Sequence, residues 1–269
     1  MRSTLRNCAV LGLLSLALGA CGAPGTGAPE PLSSDQPGPL AAAPDEPAAQ
    51  APNLPPGLET QAPLDDPLVD LASVDPRLVL HLSYGTEDNF VGEVLYPEPR
   101  ALLRASAAAR LVEVLDRLET RGLGLLVYDA YRPHAVQRRM WELLPNPDYV
   151  ADPARGSRHN RGMAVDVGLC DGAGTPLEMP TAHDAFEPAA AADAVLPWGP
   201  ARRNRDLLIE AMAASGFKVL RSEWWHFDAE GWEGRALLDV PIEAVPEQGG
   251  PKKAAPDEAG PEQADSSPQ

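Results

Sequence analysis

Ser157 to Asp166 reads S-R-H-N-R-G-M-A-V-D, and fifty-seven residues later Glu223 to His226 reads E-W-W-H. Two histidines and a carboxylate (His159, Asp166 and His226) form the smallest set that holds a catalytic zinc while leaving a fourth position for water. Glu223, three residues before the last histidine, is the carboxylate available to take a proton from that water. Gly162 and the β-branched Val165 and Val167 argue against a helix joining His159 to Asp166. They predict a loop, carrying His159, that enters a strand carrying Asp166. In that strand Val165 and Val167 face away from Asp166. Glu223 and His226 would point to opposite faces of an ideal strand, so a bend or bulge is required to bring both to one ion.

The same blocks carry a resemblance. S-x-H-x-x-G-x-A-x-D followed by E-x-W-H resembles the D-alanyl-D-alanine dipeptidase family of zinc peptidases, relatives of the DD-carboxypeptidases and the Hedgehog-type zinc fold. Tyr84 to Gly92, Y-G-T-E-D-N-F-V-G, and Tyr128 to Pro133, Y-D-A-Y-R-P, are similar to two further family segments in the same order. The resemblance implies an α+β domain, an antiparallel sheet with packed helices and a single zinc in its cleft. It implies Glu223 as the general base and Arg132 as the cation that stabilises the developing oxyanion. The plain alternative for Arg132 is an ion pair with Asp129 or another carboxylate. Ser157 matches a substrate-contacting serine, Asp184 falls where the family binds the substrate's free amino group, and Tyr84 belongs with the substrate cleft. At Asp184 the match departs from the pattern, because His183 stands where the family usually has an aromatic residue. His183 is left out of the ligand set, since a fourth protein ligand would close the site. Trp224 and Trp225 read as core and cleft wall; His81 and His134 read as structural.

Around this block the chain divides by composition. Residues 1–20 carry Arg2 and Arg6, an apolar run and a small-residue exit, the pattern of a secretory signal. The exit L-G-A-C resembles a lipobox with Cys21 as the lipid-modified residue, and lipid chains anchor a protein to a membrane without spanning it. Gly22 rather than Asp after Cys21 leans towards the outer membrane of a cell with two. Gly22 to Pro67 holds seven acidic residues, twelve prolines and no Lys or Arg, so residues 21–67 are expected to form a disordered spacer. Residues 243–269 read as a second disordered tail. Of the net charge of −17 the signal carries +2, the spacer −7 and the tail −4, which leaves −8 for residues 68–242. That moderately acidic domain has no basic patch to suggest nucleic-acid binding. Cys8 and Cys21 lie outside it, so Cys170 has no intramolecular partner and is expected as a small buried residue beside the metal strand.

Within residues 68–242 the pattern predicts strands over Arg77–Tyr84, Leu123–Asp129, Met163–Leu169, Phe217–Leu220 and Trp225–Asp228. Helices are predicted over Ala101–Thr120, from His134 to about Leu144, and over Ala201–Ser215. The expected activity is hydrolysis of D-alanyl-D-alanine or a similar small dipeptide near peptidoglycan. Two alternatives are a carboxypeptidase or endopeptidase acting on stem peptides, and a zinc-stabilised wall-binding lipoprotein without catalysis.

Overall fold

The computed structural model describes residues 57–61 and 64–247. The elements in chain order are β1 (Leu58–Glu59), β2 (Leu68–Asp70), α1 (Leu71–Val74), β3 (Val79–Leu80), β4 (Leu102–Arg104), α2 (Ala105–Glu119), β5 (Leu123–Asp129), α3 (His134–Leu143), β6 (Ala164–Asp171), α4 (Pro200–Ala213), β7 (Phe217–Val219), β8 (His226–Ala229) and β9 (Leu237–Leu238). A five-stranded sheet of order β3-β5-β6-β8-β7 organises them, antiparallel throughout except for the parallel edge pair β3–β5. It is the α+β architecture expected, with β2–β4 and β1–β9 as two small additional pairs.

The back of the sheet is an apolar layer made by periodicity. Ala107, Ala108, Leu111, Val114, Leu115 and Leu118 fall on one stripe of α2 and are all buried. They pack with Leu208 and Met212 of α4 against Leu125, Val127, Val165, Val167 and Phe227 of the sheet. Helix α2 starts at Ala105 rather than Ala101, because Leu102–Arg104 pair with β2 before the helix begins. Its N-terminus is capped from a distance: Asp66 accepts from the backbone N–H and the hydroxyl of Ser106 at 2.9 and 2.8 Å. A carboxylate there satisfies free N–H groups and complements the helix dipole. Asp66 and the Leu58–Glu59 strand both lie in the stretch expected to be disordered, so the ordered body begins before Leu68. At the other end it runs past Ile242 to the buried Val245. The signal, Cys21 and most of the spacer and tail lie outside the described residues.

The predicted strand over Arg77–Tyr84 is realised only at Val79–Leu80. His81 adds one more ladder bond, to Val127, before the chain turns through Ser83–Gly85. Burial of the Tyr84 ring against Phe90 and Tyr96 draws the segment off the sheet edge. The remaining strands and helices agree with the pattern to within two residues, β8 starting at His226. Cys170 is buried on β6, His134 bonds the Pro153 carbonyl and His81 lies edge-on to Tyr128.

Between β5 and β6 the register shifts by one. Val127 pairs with Val167, but Asp129, not Tyr128, pairs with Asp166. This bulge puts Asp129, Asp166 and His226 in one row across three strands, since Asp166 also pairs with His226 on β8. Tyr128 lies over Gly168, where a Cβ would come within 2.7 Å of its hydroxyl oxygen.

Candidate active site

The cleft opens on the front of the sheet, around that row. His159 stands on a short 3-10 turn, His159–Arg161, that ends at Gly162 with φ +66°. A Cβ at Gly162 would also meet Leu68 at 2.8 Å, so glycine is required twice over. Asn160, fully buried, ties this turn to the end of β5: its Oδ1 accepts from Ser157 N–H at 2.7 Å and its Nδ2 donates to the Arg132 carbonyl at 2.8 Å. Arg132 N–H in turn donates to the His159 carbonyl.

His159, Asp166 and His226 are all buried, each offering one donor atom within 4.8 Å of the others. His159 Nε2 lies 3.3 Å from Asp166 Oδ1, and His226 Nδ1 lies 3.0 Å from both Asp166 Oδ1 and His159 Nε2. The outer ring nitrogens are already committed. His159 Nδ1 sits 2.6 Å from the Ala130 carbonyl, which can only accept. His226 Nε2 lies 3.0 Å from Asp228 Oδ1. With the outer nitrogens donating, two lone pairs and a carboxylate oxygen converge on one point, an arrangement that requires a cation or a proton. This donor set of two imidazoles and one carboxylate fits zinc, and the outer partners hold both rings in the ligating tautomer. Burial alone would raise the Asp166 carboxyl, but His159, His183 and His226 hold it well below the usual range. Burial opposes charge on His226, yet its hydrogen bonds to Asp166 and Asp228 push it up to about 10.

The bend needed between Glu223 and His226 is a turn rather than a bulge. Leu220 N–H bonds the His226 carbonyl and Glu223 N–H bonds the Leu220 carbonyl, so the chain doubles back and Glu223 lies ahead of β8. Its carboxylate comes to 3.9 Å from His226 Nδ1, beside the trio but not among its donor atoms. Burial, reinforced by Asp166 and Asp184, holds the Glu223 carboxyl above the usual range. Trp224 is core and Trp225 lines the cleft.

Arg132 fulfils its plain alternative and still reaches the cleft. Its Nε and Nη2 donate to Asp129 Oδ2 at 3.1 and 2.7 Å, and its Nη1 donates to Gln137 at 2.9 Å. N–H groups on both Nη atoms remain uncommitted, and the guanidinium carbon stands 5.1 Å from the Tyr84 ring centre. Tyr84, kept neutral by burial, donates to Asp184 Oδ2 at 2.8 Å. Asp184 has φ +57°, the only described non-glycine residue with positive φ. Ser157 also lines the cleft, its Oγ accepting from His159 N–H.

Asp228, the Ala130 carbonyl, Asn160 and Gln137 escaped the sequence reading. Asp228 alone had a signal, an acid two residues past a ligand on the same strand. His183 has a role that exclusion from the ligand set did not foresee. Its Nε2 lies 3.4 Å from Asp166 Oδ2, the oxygen turned away from the other two ligands, and 3.4 Å from Asp184 Oδ1. Its Nδ1 lies 3.0 Å from Ser83 Oγ, and its ring stacks on Tyr128 at 4.6 Å.

The cleft holds about 100 Å³ and is lined by residues that include Tyr84, Phe90, Arg132, Tyr149, Ser157, Arg158, Asp184 and Glu223. A wider depression of about 340 Å³ adjoins it beyond Glu223 and Trp225.

Comparison with known proteins identifies the family. Residues 65–245 match the family model Peptidase_M15, described as D-ala-D-ala dipeptidase. The chain is similar to a D-alanyl-D-alanine dipeptidase of Escherichia coli K12, 39% identical over 161 residues that cover 60% of this chain and 83% of that protein. It is also similar to one from Streptomyces coelicolor, 30% identical over 54% of this chain and 82% of that protein. Among solved structures, VanYB in complex with D-alanine-D-alanine aligns at 17% identity and a TM-score of 0.34, over 50% of this chain and 75% of that one. The match to the family model over most of the ordered body, with a relative 39% identical across most of its length, places this chain in the D-Ala-D-Ala dipeptidase family of peptidases, as a hydrolase.

Proposed function

We propose that this protein is an exported zinc dipeptidase that hydrolyses D-alanyl-D-alanine or a similarly small dipeptide. The position of Glu223 carries the reading: a half-buried carboxylate 3.9 Å from His226 Nδ1, beside the trio but outside its donor set, and paired among the described residues with no Arg or Lys. A purely structural metal site has no use for it. The names of the E. coli and S. coelicolor relatives and the small cleft support the choice of substrate. His159, Asp166 and His226 hold the zinc. When bound there, zinc supplies the acidity that makes water a nucleophile near neutral pH and polarises the scissile carbonyl.

The chain's own residues do the rest. Glu223 takes the proton of the attacking water and passes it to the leaving amine; burial raises its basicity for the first step. Arg132, immobilised by Asp129 and Gln137, turns its uncommitted N–H groups to the carbonyl oxygen as negative charge gathers there. Asp184 receives the substrate ammonium, held in place by Tyr84, and the Ser157 hydroxyl contacts the substrate beside His159. Pairing a free amino group with Asp184 so near the metal excludes longer chains.

The test is a substrate panel on the zinc-loaded protein: D-alanyl-D-alanine, L-alanyl-L-alanine and a stem pentapeptide. Turnover of the first alone is expected. Release of D-alanine from the pentapeptide would make the protein a carboxypeptidase, and no turnover with zinc in place would make it a binding protein. The lipobox-like L-G-A-C supports anchoring through an acylated Cys21, in the outer membrane where there are two. Wild type should partition with membranes and Cys21→Ser should not; soluble wild type with unmodified Cys21 would end that reading.

A further inference from the structure

His159 and His226 serve as zinc ligands in the reading above, and a third histidine beside them, His183, has no task in it. Its side chain is only 7% exposed, and three rings box it in. It stacks on Tyr128 at 4.6 Å and lies edge-on to Trp225 at 5.5 Å and to Tyr84 at 6.4 Å. Ring packing therefore fixes where its two nitrogens point. Nδ1 lies 3.0 Å from Ser83 Oγ. Nε2 faces two carboxylates at once, Asp166 Oδ2 and Asp184 Oδ1, each at 3.4 Å. Ionised carboxylates can only accept, so Nε2 carries a hydrogen directed between them. One N–H divided over two acceptors accounts for the length of both contacts.

The two carboxylates have different duties. Asp166 turns Oδ1 to the trio, 3.3 Å from His159 and 3.0 Å from His226, and Oδ2 to His183. Asp184 is the receiver of the substrate ammonium under the dipeptidase reading. Its φ of +57° is a backbone conformation that persists only where the surroundings pin it. Tyr84 pins Oδ2 at 2.8 Å, and His183 stands at Oδ1. A donor shared between like charges offsets their repulsion and fixes the rotation of each carboxylate. A hydrocarbon ring in this place, the usual family choice, would keep the stack on Tyr128 and supply neither.

We propose that His183 is a positioning residue for both carboxylates, orienting Asp166 for the zinc and Asp184 for the substrate ammonium through one shared N–H; the Asp184 half rests on the dipeptidase reading above. The competing account is that His183 only fills the space beside Tyr128. Two substitutions cross over between these accounts. His183→Phe keeps the ring and removes the donor, whereas His183→Gln removes the ring and keeps an amide N–H of similar reach. In the full chain, chelator competition should show zinc held roughly 10- to 100-fold more weakly by His183→Phe, with most of the loss recovered in His183→Gln. In the zinc-loaded proteins, KM for D-alanyl-D-alanine should rise roughly tenfold in His183→Phe with kcat changed less, and His183→Gln should again lie near wild type. Normal behaviour of His183→Phe with losses in His183→Gln would assign the ring to packing and overturn the proposal. Equal losses in both variants, or a loss confined to zinc or to KM, would overturn it too. Calorimetric binding of the dipeptide to Glu223→Ala protein, with and without His183→Phe, repeats the comparison without turnover. If wild type binds but does not hydrolyse the dipeptide, while His183→Phe loosens both zinc and dipeptide, the dipeptidase reading fails and this proposal stands. Zinc and dipeptide held by His183→Phe as tightly as by wild type would sink this proposal and spare that reading.

Discussion

The two faces of the central sheet are built on different terms. Behind it, α2 and α4 lay apolar stripes against alternating valines and leucines, and within that layer the contacts are a matter of volume. In front, strand and loop residues separated by up to about a hundred positions meet through single polar contacts, as Tyr84 meets Asp184 and His159 meets His226. A packed layer spreads the loss of one side chain over many neighbours, whereas a converging polar site has no spare partner for a missing one. Stability should therefore belong mainly to the back face and chemistry to the front.

The largest break in that division is expected at Glu223. Glu223→Ala should lower kcat by roughly three decades while leaving zinc content and thermal midpoint as in wild type. Rate measured against bound metal decides it: zinc lost with the rate would make Glu223 a ligand, and a near-normal rate would place the base elsewhere. The reverse case is Leu115, fully buried on α2. Leu115→Ala should cost about 2–5 kcal/mol of stability, and kcat/KM per folded molecule at low temperature should stay put. A clear fall in kcat/KM would mean that the back layer tunes the site.

Asp228 sharpens the comparison, since it touches no expected substrate position and yet faces the cleft through His226. Asp228→Ala should weaken zinc binding roughly 10- to 100-fold by releasing the His226 tautomer, as read by chelator competition, with the fold retained. The smallest effect belongs to Asp66 behind the sheet. Asp66→Ala should lower stability by about 1 kcal/mol through the lost cap, seen as a shifted urea midpoint with zinc affinity unchanged.

This division also explains what was legible. The back face repeats, so the α2 stripe and the strands at Leu123, Met163 and Phe217 could be read from spacing alone. The trio was legible because metal ligands are few in type and two of them share one short block. The turn at Leu220–Glu223 was required by the chemistry, but its form was not, because a strand run of aromatic residues hides a reversal. His183 and Asp228 act on the trio from behind, and Asn160 and Gln137 act through backbone and guanidinium partners. Support of that kind leaves no spacing rule in a chain. The distant cap was invisible for a related reason: Asp66 sits in a proline-rich acidic stretch whose composition says solvent, and forty residues separate it from Ser106.

The one-residue shift at Tyr128 has a reach beyond its own strand. In regular pairing the residue opposite Asp166 would be Tyr128, and Asp129 would turn with Val165 into the apolar layer. Because the shift breaks even-odd order once, two successive residues serve the cleft: Tyr128 as the plate beneath His183 and Asp129 as the anchor of Arg132. Strand β5 thus carries a parity switch, apolar-in up to Val127 and polar-in after it. Deleting Tyr128 would restore regular parity and turn the Arg132 anchor into the core, whereas substituting it would keep the parity and remove only the plate beneath His183.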